Sequence, residues 1–440
     1  IIVAGDHGEG LGDHGEAQHG MLAYRSTMQV PLVIRVEGES PRAVESPVSI
    51  RRIFHTVRAI AGEEDELSLL RDAGEIVVGE AMQPYLAYGW QPQVMAAWDG
   101  HQAIFAGELE AYDLDADPAQ SNDLGSRAEI PRPVRAALTS YPIPSISGGR
   151  ENVELSDEER RQLASLGYVT GGPAPAIRAD APRPVEMADL FDELDRASAA
   201  FAAQRWEEAI PILREILARD AANLMAALRL AAAYSATGND ARANEAFRRA
   251  REIAPDSPDV DHYEGLHHAR RGDWERAVPL LEKSLHNEPG RLAAIEALAR
   301  QRASEGRFRE ALDLWERADA IEPLSADQSR MAGAAAMRLG DTLLALKHLE
   351  RARSILGARF ENDLELGVLY LETRRFPDAR AAFDRALQRD PDNPMTLFKR
   401  AQLSVLLGEP QASQWIAKAR LAADPVTAPL IERERLFDGY

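Results

Sequence analysis

Residues Gly272–Pro289 read "GDWERAVPLLEKSLHNEP". A glycine opens the stretch, Ala277, Leu281 and Ser284 follow at helical spacing, and Pro289 closes it. The spacing predicts one amphipathic helix with a proline stop. Stepping outward by 34 residues finds the same signs again. Ahead lie Gly306, Ala311, Trp315, Ala318 and Pro323, then Gly340, Ala345, Leu349, Ala352 and Gly357, then Arg374, Ala379, Phe383, Ala386 and Pro391. Behind lie Gly238, Ala243, Phe247, Ala250 and Pro255, and before those Gln204, Ala209, Leu213, Ile216 and Ala221. A weaker copy carries Gly408, Ser413 and Pro425. Seven residues before each opening position stands a small residue: Ala197, Ala231, Gly265, Ala299, Gly333, Gly367 and Ala401.

Small residues let two antiparallel helices approach, and the bulky residue fills the gap between neighbouring units. One such unit cannot bury its own apolar face, whereas a stack can. The pattern resembles the tetratricopeptide repeat, whose period is 34. The resemblance implies an all-α solenoid of about seven repeats over residues 187–440, with a peptide or protein in its groove. Trp206, Trp274, Trp315 and Trp415 sit at repeat positions and are expected to pack. His267 and His268 are expected on the surface.

The formal net charge of −20 argues against general binding to nucleic acid, which needs clustered Lys and Arg. The chain has no cysteine, which excludes disulfides and thiolate metal sites within it. No apolar run reaches the ~18 residues of a membrane span.

Residues 1–150 have another character. Ile1–Ala4 reads as the end of a buried strand, Val30–Val36 as a second, and residues 48–61 as a helix closed by Gly62. Short β-rich runs follow, with a hairpin signal at Asp99-Gly100, and read as a small antiparallel element. This is an α/β or α+β piece. A buried strand at residue 1 needs neighbours, so its sheet is expected upstream and the chain is read as a C-terminal fragment. Residues 151–170 are expected as a closing helix capped by Ser156, and residues 171–186 as a Pro/Ala-rich linker.

Between the first two strands runs "GDHGEGLGDHGEAQHG", Gly5–Gly20, in which Gly-Asp-His-Gly-Glu occurs twice. Asp6 and His7 in a loop can both turn onto one cation, a carboxylate oxygen beside an imidazole nitrogen. Asp13 and His14, farther out, are expected as supporting loop. One Asp-His pair is only half a site, because a catalytic metal takes three or more protein ligands.

The stretch from Ile1 to Arg35, with Asp6-His7-Gly8, His19-Gly20, Tyr24 and Val30-Pro31-Leu32, resembles the sulfatase family of the alkaline phosphatase superfamily. Tyr112-Asp113-Leu114, Asp117-Pro118, Asn122 and Leu124 match a later segment of that family, and "RRQLASLGYV" its closing one. The resemblance covers roughly residues 1–170. Ala111 is an insertion relative to it, and His101-Gln102 stand where the family usually carries a lysine. It implies an alkaline-phosphatase-like α/β domain, with residues 1–150 as its C-terminal portion. It further implies Asp6 and His7 as ligands of a divalent cation (Ca, Mn or Zn), His19 at the substrate group or leaving oxygen, and a nucleophile upstream. The activity implied is hydrolysis or transfer of a sulfate or phosphate ester, in an exported or membrane-attached (periplasmic) protein. The alternative is an interaction scaffold in which the sulfatase-like region is degenerate.

Overall fold

The 34-residue period becomes pairs of antiparallel helices. The computed structural model describes residues 1–71, 74–143, 178–357 and 361–439, and these fall into two compact units, Ile1–His267 and His268–Tyr440. The closing helix expected over 151–170 lies outside the described residues.

The first unit opens with β1 (Ile2–Ala4), α1 (Arg25–Met28), β2 (Leu32–Ile34) and α2 (Arg52–Ile60). Then come β3 (Val77–Ala81), α3 (Gln83–Tyr88), β4 (Gln93–Trp98), β5 (His101–Ala106), β6 (Glu108–Asp113) and α4 (Arg132–Thr139). Its helical part holds α5 (Phe191–Ala202), α6 (Trp206–Arg219), α7 (Leu224–Ala236), α8 (Asp240–Ile253) and most of α9 (Pro258–Arg270). The second unit continues with α10 (Trp274–Asn287), α11 (Leu292–Ser304), α12 (Phe308–Ile321), α13 (Ala326–Arg338) and α14 (Thr342–Leu356). It ends with α15 (Asp363–Glu372), α16 (Phe376–Arg389), α17 (Pro394–Leu406), α18 (Ala412–Leu421) and α19 (Ala428–Arg433).

The repeat residues do what their types dictate. The alanines Ala209, Ala243, Ala277, Ala311, Ala345 and Ala379 are fully buried. The bulky Leu213, Phe247, Leu281, Trp315, Leu349 and Phe383 are at most 1% exposed. A Cβ on Gly367 would lie 2.5 Å from Phe383 Cε1, and one on Gly333 2.8 Å from Leu349 Cγ, so the bulky residue rests directly on the small one. The first helix of each pair ends in a left-handed residue: Gly238, Gly272, Gly306, Gly340 and Gly408, but Gln204 (φ 56°) and Arg374 (φ 58°) where the glycine is missing. A side chain in that conformation costs on the order of 1 kcal/mol, which the flanking helix packing offsets. Asn223, Asp341 and Asn393 cap the following helices, accepting from Ala226, Leu344 and Thr396 N–H at 2.9, 3.1 and 3.0 Å. Trp315 packs as expected. His267 and His268 do not lie on the surface: they are 2% and 8% exposed, and His267 Nδ1 lies 2.8 Å from Ser235 Oγ.

The sheet region holds the small antiparallel element that the β-rich runs predict. β3–β6 form an antiparallel meander in sequence order, and β1 pairs antiparallel with β2 in a separate ribbon. The connections explain this: the Asp99-Gly100 turn and Gly107 are too short for a parallel crossover. The described strands do not show the alkaline-phosphatase fold that the resemblance implies. Nor is β1 buried: Ile1, Val3 and Val33 are 82, 60 and 63% exposed, because among the described residues only β2 pairs with it.

The meander has two working faces. Val94, Ala96, Trp98, Ala103 and Ala111 pack with Val134 and Leu138 of α4. The alternate residues Met95, Ile104 and Tyr112 face Leu22, Ala23 and Tyr24, in a cluster that runs on into Leu190, Phe191 and Leu194 of the repeats. Residues 178–186, expected as part of a linker, pack instead. Gln91 N–H donates to Pro182 O at 3.0 Å, Arg183 reaches Glu108 and Glu110, and Pro184–Leu190 forms a short 3₁₀ helix. Trp90 Nε1–H, fully buried, donates to Asp220 Oδ2 at 2.7 Å and so ties the meander to the end of α6.

Candidate functional site

The two copies of Gly-Asp-His-Gly-Glu fold differently. Gly10 N–H donates to Gln18 O at 2.6 Å and Gly12 N–H to Glu16 O at 2.8 Å, so residues 10–18 double back on themselves. The second copy forms the tip. His14 (φ 52°) sits in a 3₁₀ turn, Asp13–Gly15, and its ring stacks on Tyr24, centroids 3.6 Å apart. Glu16 turns inward, 2% exposed, and accepts from Met21 and Leu22 N–H at 2.7 and 3.0 Å. Burial pushes the Glu16 carboxyl above its usual range, and those two N–H donors pull the other way. This copy is therefore an anchor.

The first copy faces outward. Gly8 N–H donates to Thr27 O at 2.8 Å, and a side chain at Gly8 would overlap the Ser26 carbonyl. That close approach aims the flanking residues at solvent. His7 and His19 stack with centroids 3.6 Å apart, and His19 Nδ1 lies 2.9 Å from Glu9 Oε1. His7 Nδ1 lies 2.8 Å from Gly8 O, which leaves Nε2 available. One ligand atom each from His7, Glu9 and His19 lies within 4.8 Å of the others, all three exposed. Asp6 Oδ2 stands 3.7 Å from His7 Nε2, its side chain 90% exposed. Backbone N–H groups, its own and that of His7, together with the His7 ring, hold the Asp6 carboxyl below its usual range.

Asp6, His7 and His19, expected from sequence, thus lie in one neighbourhood, and Glu9 joins them. Asp6, His7 and His19 line an open cleft of about 1980 Å³ together with Arg25, Arg35 and Arg52. Glu9 was not legible because a loop has no period from which to read which carboxylate turns toward which ring.

The loop rests on polar residues of the sheet that sequence reasoning missed. Gln93 Nε2 donates to Met21 O at 2.6 Å and Gln102 Nε2 to Ala23 O at 2.8 Å, both side chains buried. Glu110, 5% exposed, accepts from Tyr24 and Tyr112 hydroxyls at 2.7 and 2.5 Å and pairs with Arg183. Burial first, then the Glu110 anion, pushes both phenols well above their usual range. The signal was present in the strands: Gln93, Gln102 and Glu110 are polar residues at inward positions of apolar runs.

The second surface is the face of each repeat's first helix turned away from its partner helix. On α17 it runs through Met395, Phe398, Gln402 and Val405. Phe398 is covered by Phe437, centroids 5.9 Å apart, and Gln402 hydrogen-bonds Glu434. In the 34-residue register the last three of these positions fall on Leu364, Val368 and Leu371 of α15, on Arg330, Ala334 and Met337 of α13, and on Glu296, Arg300 and Ala303 of α11. None of these nine is buried. In the first unit the equivalent Phe191, Leu194 and Leu228 are buried in the cluster that holds Tyr88 and Trp90.

Two family models match the chain, both described as tetratricopeptide repeat, over residues 200–262 and 364–426. Neither reaches residues 1–170, where the sulfatase resemblance lies. No curated protein matches. Among solved structures, YrrB, described as a TPR protein with an unusual peptide-binding site, is 18% identical; the match covers 43% of this chain and 98% of that one, with a TM-score of 0.39. MamA of AMB-1 is 27% identical over 38% of this chain and 91% of its own, with a TM-score of 0.32. Pseudomonas aeruginosa PilF is 19% identical over 50% of this chain and 100% of its own, with a TM-score of 0.36. With helix pairs at the 34-residue period and family matches in both units, the chain carries an array of tetratricopeptide repeats.

Proposed function

We propose that this chain is an interaction scaffold whose repeats hold a peptide or protein segment against the first-helix face. The observation that supports it most is that this face is unburied on α11, α13 and α15 although the opposite side of the same helices is packed shut. Repeat arrays of this kind present such faces as extended binding surfaces. A peptide-display selection on the whole chain is the test. The expected outcome is a set of enriched peptides that Arg330→Glu and Val368→Glu chains no longer select. An unchanged set in both variants, or no enrichment at all, overturns the reading.

A second reading rests on the His7, Glu9 and His19 cluster. Two imidazoles and a carboxylate, with Asp6 adjacent, suit Zn or Mn better than Ca, which prefers an all-oxygen shell. His7, Glu9 and His19 would hold the ion, with Asp6 beside them. The chemistry such an ion supplies is polarisation of a sulfate or phosphate ester oxygen, as the sulfatase resemblance implies, and Arg25, which lines the same cleft, would offset the ester's charge. Titration calorimetry with Zn²⁺ and Mn²⁺ tests it without any activity readout. One equivalent is expected to bind wild-type chain. Binding is expected to fall at least roughly ten-fold in His7→Ala or His19→Ala and to persist in Asp13→Ala/His14→Ala. Equal binding by the His7 and His19 variants overturns it.

A further inference from the structure

The second unit already shows what its stripe accepts. Residues 424–437 fold back across α17, and two of their side chains do the work. Glu434 accepts from Gln402, while its other oxygen accepts Leu436 N–H at 3.0 Å. Phe437, three residues on, is 4% exposed and meets Phe398 edge to face. Ile431, 6% exposed, joins the same cluster with Met395 and Val405 at its border. The first unit repeats the theme on its own stripe, where Trp90 lies 6.3 Å from Phe191, ring to ring. In both units an aromatic side chain of this chain lies on the stripe, Phe437 on Phe398 and Trp90 beside Phe191.

The uncovered part has matching chemistry. Leu364, Val368 and Leu371 make an apolar track on α15, with Met337 at the equivalent place on α13. Arg300 and Arg330 supply cations on α11 and α13, and Arg330 pairs only loosely with the exposed Asp327, at 3.4 Å. Arg300 and Arg330 are the cations of this face, beside the acidic Glu296 and Asp327, and they are what a partner's carboxylate would meet.

We infer that the uncovered stripe of α11, α13 and α15 takes a short peptide segment presenting a carboxylate and, three residues on, an aromatic side chain, the pair that this chain's own Glu434 and Phe437 present to α17. The carboxylate pairs with Arg330 or Arg300, and the ring lies on Leu364 and Val368. The inference rests on the scaffold reading and specifies its partner.

The probe is a fluorescein-labelled peptide with the sequence of residues 428–439, APLIERERLFDG, titrated into the whole chain and followed by anisotropy. Saturable binding is expected. Exchanging the probe's phenylalanine for alanine is expected to weaken it roughly ten-fold, the loss of one apolar anchor. Val368→Glu in the chain is expected to do the same. Arg330→Glu, an unburied position whose exchange leaves the fold intact, is expected to weaken it several-fold, with a flatter salt dependence. In a Phe437→Ala chain the displaced segment frees α17, and the stoichiometry is expected to rise from one toward two. Unchanged affinity in Val368→Glu and Arg330→Glu chains overturns the inference, as does affinity indifferent to the probe's phenylalanine. If display-selected peptides need Arg330 and Val368 while this probe does not bind, the stated chemistry fails and the scaffold reading stands. If the selected peptides ignore both residues, the scaffold reading itself fails.

Discussion

Phe383→Ala is expected to lower the stability of the second unit by about 3 to 5 kcal/mol. The ring is fully buried in α16 and rests on Gly367 of α15. Removing a ring from a packed interior forfeits its transfer free energy and leaves a cavity, and the cost grows with how little the surroundings can close in. They can close in little here. Gly367 has no side chain to move, and its backbone is held in the middle of α15. Because each repeat contacts only its neighbours, the loss is local, so α15 and α16 are expected to open before the rest. Hydrogen exchange across residues 363–389 and a urea titration check this. Faster exchange confined to those helices, with a broadened transition, is the expected result; a uniform loss across the unit would contradict nearest-neighbour behaviour. Leucine, which the equivalent positions 281 and 349 already carry, is expected to restore most of the stability.

Glu110→Ala carries the second large effect, about 3 kcal/mol or more on the first unit. The carboxylate is buried and has three partners: the Tyr24 and Tyr112 hydroxyls and Arg183. Alanine would leave the Arg183 cation with the exposed Glu108 at 3.3 Å and would strand two buried hydroxyls, and a buried group left unpaired costs more than its bond contributed. Tyr24→Phe, which removes one donor and strands nothing charged, is expected to cost only about 1 kcal/mol. A urea titration followed by tryptophan fluorescence separates the two, since Trp90 lies in the same cluster. The Glu110 change is also expected to loosen the loop, because His14 stacks on the Tyr24 ring that Glu110 holds. Faster amide exchange at residues 10–18 would report it. Near-equal losses in the two variants would mean that the charge plays no part.

The repeats were legible because their signal is periodic. Each unit reuses one solution for helix end, small crossing residue and bulky filler, so a 34-residue step exposes all of them even where Gln204 and Arg374 replace the glycine. The meander was legible from Asp99-Gly100 and from the short β-rich runs around it. The setting of the loop was not. Glu9 meeting His19, Glu16 turning in to cap Met21 and Leu22, and Gln102 reaching Ala23 are pairings between residues with no common period. The buried His267 and His268 were missed for a related reason: polarity predicts exposure only when no partner is waiting, and Ser235 lies 2.8 Å from His267 Nδ1.

By itself, then, the sequence determined the local and the repeated: the helix pairs, their proline stops, the small and bulky packing positions of each repeat, and the Asp-His-Gly loop that follows β1. Those follow from backbone preference and spacing along the chain. Only the tertiary structure decided which copy of Gly-Asp-His-Gly-Glu anchors and which presents its donors. It alone decided that residues 181–190 pack against the meander, and that the chain's own C-terminal segment lies across α17. These depend on long-range contacts between unlike elements, where burial and hydrogen-bond satisfaction choose among many partners that spacing leaves equal.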